Sequence, residues 1–325
     1  MSMLEVKNLN VEYITSYETV KAVNGISFQI EEGECMGLVG ETGAGKTTTA
    51  MSIIRLLIMP PANIPDGEVI FNGQSILDIE EKEMRKIRGN DITMVFQDPM
   101  SSLNPVKRVG DQIAEVIKQH RNCTKKEAFT LACEMLKSVG IEEERAIEYP
   151  HQFSGGMKQR VVIAMALACE PKLLLADEPT TALDVTIQAQ VIKNISALRD
   201  KYKMAMLFIT HDLGLVADIC DNVAIMYAGE IVEYGNLQHI YLETGHPYTK
   251  GLFGSIPSLA TDVNRLTPIE GLPPNPADLP KGCKFHTRCP ESAGMCESIN
   301  PEMIEVSEGH FVKCHLNTLE EVVGE

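Results

Sequence analysis

Gly40-Glu41-Thr42-Gly43-Ala44-Gly45-Lys46-Thr47 decides how this chain folds. Gly40, Gly45, Lys46 and Thr47 occupy every fixed position of the phosphate-loop pattern. Glycines let successive backbone N–H groups turn inward around an anion, and a helix beginning near Gly45 aims its N-terminus at the same place. Lys46 supplies a point charge for the β- and γ-phosphate oxygens, and Thr47 offers a hydroxyl to Mg²⁺. An empty glycine-rich turn is the plain alternative. Against it stands the short apolar run Cys35 to Val39 just upstream, which makes the segment a strand–loop–helix unit.

Leu173-Leu174-Leu175-Ala176-Asp177-Glu178 is the complementary half, an apolar strand ending in two adjacent carboxylates. In this pairing Asp177 holds Mg²⁺ through its water shell, and Glu178 orients and deprotonates an attacking water. A strand that merely ends in solvated acids is the competing reading, and the phosphate loop upstream weighs against it.

Further out, Leu4 to Val11 and Ile26 to Ile30 read as strands, with Glu32-Gly33 as a turn. Val109 to His120 and Lys125 to Val139 have helical apolar spacing, the second with Thr124 as its N-cap. Gly155 to Ala168 predicts a further helix, apolar on one face, and Met204 to Ile209 another buried strand. After Gly235 prolines cluster at positions 257, 268, 273, 274, 276 and 280, which predicts a loop-rich tail with short helices at Leu237 to Leu242 and Tyr248 to Gly254.

The 325 residues, 44% of them hydrophobic, suffice for one large α/β domain and a smaller appendage. A net charge of −16 argues against a nucleic-acid partner, though not against a nucleotide held in a local amide-lined pocket. No segment approaches the roughly 18 apolar residues of a membrane span, and Met1 to Asn10 lacks the apolar core of a signal peptide. The expectation is a cytoplasmic chain that reaches a membrane only through partners.

Five of the nine cysteines, Cys35, Cys123, Cys133, Cys169 and Cys220, sit in apolar or helical contexts as small hydrophobes. The other four, Cys283, Cys289, Cys296 and Cys314, crowd the tail with five, six and seventeen residues between them. A reducing compartment favours metal binding there over disulfides. The pairs two to four residues apart that zinc sites favour are absent, so the wider spacings suit an iron–sulfur cluster better. Zn²⁺ and free or disulfide-linked thiols stay open. His286, His310 and His315 nearby read as ordinary surface histidines.

Phe153-Ser154-Gly155-Gly156-Met157-Lys158-Gln159-Arg160 resembles the signature motif of ATP-binding cassette (ABC) proteins. The supporting motifs follow in the family's order. Phe96-Gln97 is similar to the Q-loop, Ala182-Leu183-Asp184 to the D-loop, and Ile209-Thr210-His211-Asp212 to the switch loop. Any of these alone would read as structural; their joint order over about residues 3 to 235 carries the resemblance. Gln97-Asp98-Pro99-Met100-Ser101-Ser102-Leu103-Asn104-Pro105 resembles oligopeptide, dipeptide and nickel importers. So do Gly245-His246-Pro247-Tyr248-Thr249, Ile269 to Pro274 and Gly282 to Pro290, which extend the likeness over nearly the whole chain.

The resemblance implies a phosphate-loop, RecA-like α/β ATPase core at 1–235. That core has an antiparallel β N-terminal part and an inserted α-helical subdomain at about 98–170, and a small loop-rich C-terminal domain follows at 236–325. It implies Tyr13 stacked on adenine, with Tyr17 as second candidate. It implies ATP and Mg²⁺ held by Gly40, Thr42, Gly43, Ala44, Gly45, Lys46, Thr47, Thr48, Gln97 and Asp177, with Glu178, Gln97 and His211 catalytic. Ser154, Gly155, Gly156 and Asp184 would complete the site of a neighbouring cassette. The implied partners are two transmembrane permease subunits, a paralogous ATPase or a second copy of this chain, and indirectly an extracellular solute-binding protein. Members of the family carry a [4Fe–4S] cluster on the four tail cysteines. Di- and oligopeptides are the implied cargo. Nickel or another small solute, and a soluble non-transport ABC protein, are the alternatives.

Overall fold

The computed structural model describes residues 2–98, 102–180, 185–254 and 268–319. The chain divides into two compact units, one of Met1–Glu5, Gln29–Cys35 and Ile70–Ile209, the other of Val6–Phe28, Met36–Val69 and Thr210–Glu325.

In the first unit β6 (Ile92–Val95), β7 (Leu173–Asp177) and β8 (Ala205–Thr210) run parallel, with Ile92 opposite Leu173 and Leu173 opposite Ala205. Every residue of β7 and β8 is buried, which explains why Leu173 to Ala176 and Ala205 to Ile209 read as unbroken apolar runs: a parallel strand covered on both faces has no polar side to alternate with. Between β6 and β7 lie the helices Val109–His120, Lys125–Ser138 and Gly155–Leu167, which pack on one another. The first bears its buried residues at Val109, Ile113 and Ile117, four apart on one face. Thr124 caps the second in a complete capping box, its side chain accepting from Glu127 N–H while the Glu127 carboxylate accepts from Thr124 N–H at 2.7 Å. The helix over 155–167 is buried at Gln159, Val161, Val162, Ile163, Ala164 and Leu167, a broader contact than the single apolar face expected.

In the second unit β3 (Cys35–Val39) pairs in parallel with β9 (Asn222–Tyr227), and β9 pairs antiparallel with β10 (Glu230–Asn236). A separate sheet, not confined to one unit in sequence, is formed by the long strands β1 (Ser2–Ile14), β2 (Thr19–Glu31) and β4 (Ala62–Phe71) with the short β5 (Gln74–Ser75), in the order β2-β1-β4-β5.

The two short helices expected in the tail form, at Leu237–Leu242 and Pro247–Gly254. The tail differs from the loop-rich expectation in two short strands, β11 (Ile304–Ser307) and β12 (His310–Val312), which continue the sheet from β10. Strands of four and three residues are too short to show a period, and they exist because the edge of β10 offers unpaired backbone groups. The histidines also depart from expectation. His310 and His315 are buried, because the fully buried Glu233 carboxylate takes a donor from His310 Nε2 at 2.9 Å and His315 Nε2 meets the Ile299 carbonyl at 2.9 Å.

Candidate nucleotide site

The phosphate loop leaves β3 and enters the Lys46–Ile53 helix, whose N-cap, Gly45, contributes no side-chain cap. Its first amides are therefore not satisfied by a capping side chain, the arrangement that favours an anion. Two glycines are obligatory for steric reasons. A Cβ on Gly40 would run into the Met226 carbonyl oxygen, and one on Gly45, at φ +103°, into the Ala22 carbonyl oxygen with Met226 Cε at 2.8 Å. Gly43, at φ +84°, faces open space. The loop is thus wedged against β2 and β9 at its two ends and free in the middle.

Lys46 is buried, and its ammonium donates to the carbonyls of Gly40 at 2.7 Å and Glu41 at 3.0 Å. Ala44 N–H also donates to the Glu41 carbonyl, at 3.1 Å. The lysine thus spans the concave side of the loop that carries it. Tyr13 is half-buried on β1, its hydroxyl 3.3 Å from that of Thr48 on the first turn of the helix. Tyr17 is almost fully exposed. Of the two tyrosines, only Tyr13 is tied to the helix of the loop.

At the end of β7, Asp177 is buried and Glu178 half-buried. Glu178 has φ +46°, in the left-handed region that an unbranched acid adopts only at some cost, of order 1–3 kcal/mol. Its N–H donates to the Ile209 carbonyl at 2.9 Å, which holds the turn, and its carboxylate accepts from Gln97 Nε2 at 2.8 Å. The structure thus brings together Gln97 and Glu178, which are 81 residues apart in sequence. His211 follows β8 and is exposed. The next residue, Asp212, caps the Leu213–Ile219 helix through Gly214 N–H at 2.8 Å, and its own N–H donates to the Thr210 hydroxyl at 3.0 Å. Asp184 lies outside the described residues, with Ala182 and Leu183, as do Pro99, Met100 and Ser101.

Ser154 caps the helix over 155–167, accepting from Met157 N–H at 3.4 Å, and both Ser154 and Gly155 are exposed with open space beside Gly155. Gln159 on that helix is a site residue that sequence reasoning did not single out. Buried, it donates through Nε2 to the carbonyl of Pro179, the residue after Glu178. Set between Lys158 and Arg160, it carries no mark of burial in the sequence, and only the packing of the helix reveals it. The helical segment also carries a cleft of about 550 Å³ lined in part by Val106, Arg108, Ala114, Phe129 and Tyr149.

The four tail thiols come into one electrostatic neighbourhood. Burial pushes Cys314 up to about 11, and the nearby Cys283, Cys289 and Cys296 add to the shift. Cys283 N–H donates to the Cys296 carbonyl at 2.9 Å. Yet among the described residues no group of three or more His, Cys, Asp or Glu side chains is placed to hold a metal ion, so the expected iron–sulfur or zinc site is not supported by the side-chain placement. Burial pushes Cys283 and Cys289 up as well, and a metal ion would have to displace the thiol protons to bind. Among the described residues no helix is long and apolar enough to cross a membrane.

Residues 23–181 match the model of the ABC transporter family, and residues 232–296 that of the oligopeptide/dipeptide transporter C-terminal region. The dipeptide transport ATP-binding protein of Bacillus subtilis is 48% identical over 97% of this chain and 94% of its own length. The oligopeptide transport ATP-binding protein of Escherichia coli is 46% identical over 96% and 93%. Among solved structures, the dimeric bacterial ABC transporter cassette MJ0796 superposes with a TM-score of 0.66 at 29% identity, over 72% of this chain and 99% of that one. The chain belongs to the ABC transporter family, in the branch that carries the oligopeptide/dipeptide transporter C-terminal region.

Proposed function

We propose that this chain is the ATP-hydrolysing subunit of an importer of di- and oligopeptides, acting at the cytoplasmic face of a membrane it does not itself cross. One observation carries the catalytic assignment: Glu178, held in a costly backbone conformation directly after the buried Asp177, has its carboxylate fixed by Gln97 at 2.8 Å. A carboxylate fixed in this way is pre-oriented to take a proton from water.

The other roles follow from the loop. Gly40, Thr42, Gly43, Ala44, Gly45 and Thr48 line or flank the cradle, Lys46 would neutralise phosphate charge, and Thr47, Asp177 and Gln97 are the residues that would hold Mg²⁺. The fit is supported by the two positions where no Cβ has room. ATP and Mg²⁺ supply the γ-phosphoryl group and its charge neutralisation, and the residues of the chain position them. Tyr13 would stack on adenine, and His211 would meet the γ-phosphate. The exposed turn Ser154-Gly155-Gly156, with Asp184, serves the nucleotide of a partner cassette, either a paralogue or a second copy. The cleft of the helical segment receives a permease subunit. Peptide as cargo is supported by the names of the relatives and by the C-terminal region they share.

The finer reading of the tail, a [4Fe–4S] cluster or Zn²⁺ on Cys283, Cys289, Cys296 and Cys314, rests on the donor set and its spacing and requires the thiols to converge further than they do here.

Glu178→Gln preserves shape and the Gln97 contact while removing the base. In the complex assembled with its permeases, ATP turnover should fall by about 10²-fold or more while ATP binding persists. Turnover equal to wild type would remove Glu178 from the catalytic role.

A further inference from the structure

The C-terminal extension lies outside the catalytic motifs, yet two of its buried side chains, Arg288 and Tyr248, converge on one residue of the phosphate loop, Glu41. The Arg288 guanidinium forms a two-pronged pair with the Glu41 carboxylate, Nη1 to Oε2 at 2.7 Å and Nη2 to Oε1 at 3.0 Å. The Arg288 side chain is only 4% exposed. It lies over the rings of Tyr227 and Phe285, 5.8 and 6.0 Å from their centroids, and donates also to the Tyr227 hydroxyl and the Ile269 and Glu270 carbonyls. From the other side, Glu41 N–H donates to the Tyr248 hydroxyl at 2.9 Å. The Glu41 carbonyl accepts from Lys46 Nζ and Ala44 N–H. Every polar group of Glu41 is thereby engaged, two sides by the extension and one by the lysine of the loop.

The tyrosine is itself held by a chain of buried bonds. Glu233 accepts from Gly245 N–H at 2.7 Å and His246 N–H at 3.1 Å, and the fully buried His246 accepts through Nδ1 from Tyr248 N–H at 3.0 Å. Tyr248, Tyr227 and Phe285 pack as an aromatic triad with centroids 4.6 to 5.3 Å apart.

Stability alone is a poor explanation for such a pair. Withdrawing a guanidinium and a carboxylate from water costs about as much as their attraction returns, whereas the two-pronged geometry fixes direction. The direction fixed here is that of a loop whose middle, at Gly43, has open space where a side chain would stand.

We propose that the C-terminal extension is a latch on the phosphate loop: Arg288 and Tyr248 hold Glu41, and through its carbonyl Lys46, in the shape that receives a triphosphate. Arg288 and Tyr248 are positioning residues, and the extension acts as a determinant of nucleotide affinity. Arg288 is the neighbour of Cys289 and stands in the segment begun by Cys283, so whatever orders or modifies that segment reaches the nucleotide through the guanidinium. The proposal rests on the loop being the nucleotide site.

The test compares binding of a fluorescent ATP analogue to the full-length chain, wild type, E41Q, R288K, Y248F and the double variant E41Q/R288K, at a low temperature where circular dichroism shows each folded. R288K keeps the charge and loses the fork; Y248F loses one hydroxyl. E41Q and R288K should each weaken binding about five- to tenfold, Y248F less, and the double variant should be no weaker than the worse single one, the non-additivity of residues acting as a unit. A general loss of folding would instead accumulate in the double variant. Single variants that bind like wild type, or losses that multiply in the double variant, would overturn the latch while leaving the nucleotide site standing. Wild type failing to bind the analogue would remove both readings.

Discussion

Gly43 and Gly45 both take positive φ, yet only one of them is surrounded, and this difference gives a sharp test of how the loop is built. An alanine at either position pays for left-handed backbone, about 1–2 kcal/mol. At Gly43 nothing lies within 4 Å of the added methyl, so the cost ends there. At Gly45 the methyl is driven into the Ala22 carbonyl oxygen on β2 and to 2.8 Å from Met226 Cε. Backbone on a strand cannot swing aside as a side-chain tip can, and such overpacking adds a further ~1–3 kcal/mol. G45A should therefore be less stable than G43A by about 2 kcal/mol. The chain has no tryptophan, so the transition is best followed by far-ultraviolet circular dichroism in urea, and the midpoints compared at equal slope. Equal midpoints for the two variants would show that Gly45 is not wedged against β2, and the cradle geometry derived from it would have to be given up.

The extension carries a further prediction in His246, whose burial, with Lys250 nearby, pushes it down to about 3 from an unfolded value near 6.5. As pH falls below about 6.5 the unfolded chain takes up a proton that the folded chain refuses, so stability is lost at up to ~1.4 kcal/mol per pH unit until about pH 3. H246N retains an acceptor for Tyr248 N–H without the titration. Between pH 7 and pH 5 wild type should lose up to about 2 kcal/mol more than H246N in urea unfolding, and parallel losses would show that His246 titrates normally. For the tail thiols, protein purified without oxygen should be brown, with broad absorption near about 400 nm and about four irons per chain. Colourless protein holding a single zinc, or no metal, would end the cluster reading.

Much of the local architecture was legible in the residues because it is set by neighbours in sequence. The helix at Val109–His120 has the bounds its apolar spacing predicts, since one buried face every three to four residues is a local property. Thr124 and Glu127 announce their cap by a three-residue separation. The apolar runs at 35–39 and 173–176 are strands because nothing polar interrupts them. By contrast β11 and β12 exist only through a partner strand, and the burial of His310 only through Glu233, 77 residues away.

Taken alone, the order of residues determined that this chain has a phosphate loop, a strand ending in Asp177-Glu178 and a serine–glycine helix start, because glycine freedom, carboxylate placement and capping are short-range chemistry. The tertiary structure alone decided that Glu178 sits at positive φ with Gln97 on its carboxylate, that Gly45 and not Gly43 is wedged, and that Arg288 grips Glu41 across 247 positions. The reason is physical: such contacts are made by surfaces that meet only after the chain has collapsed, and no local pattern encodes which distant side chain will stand opposite.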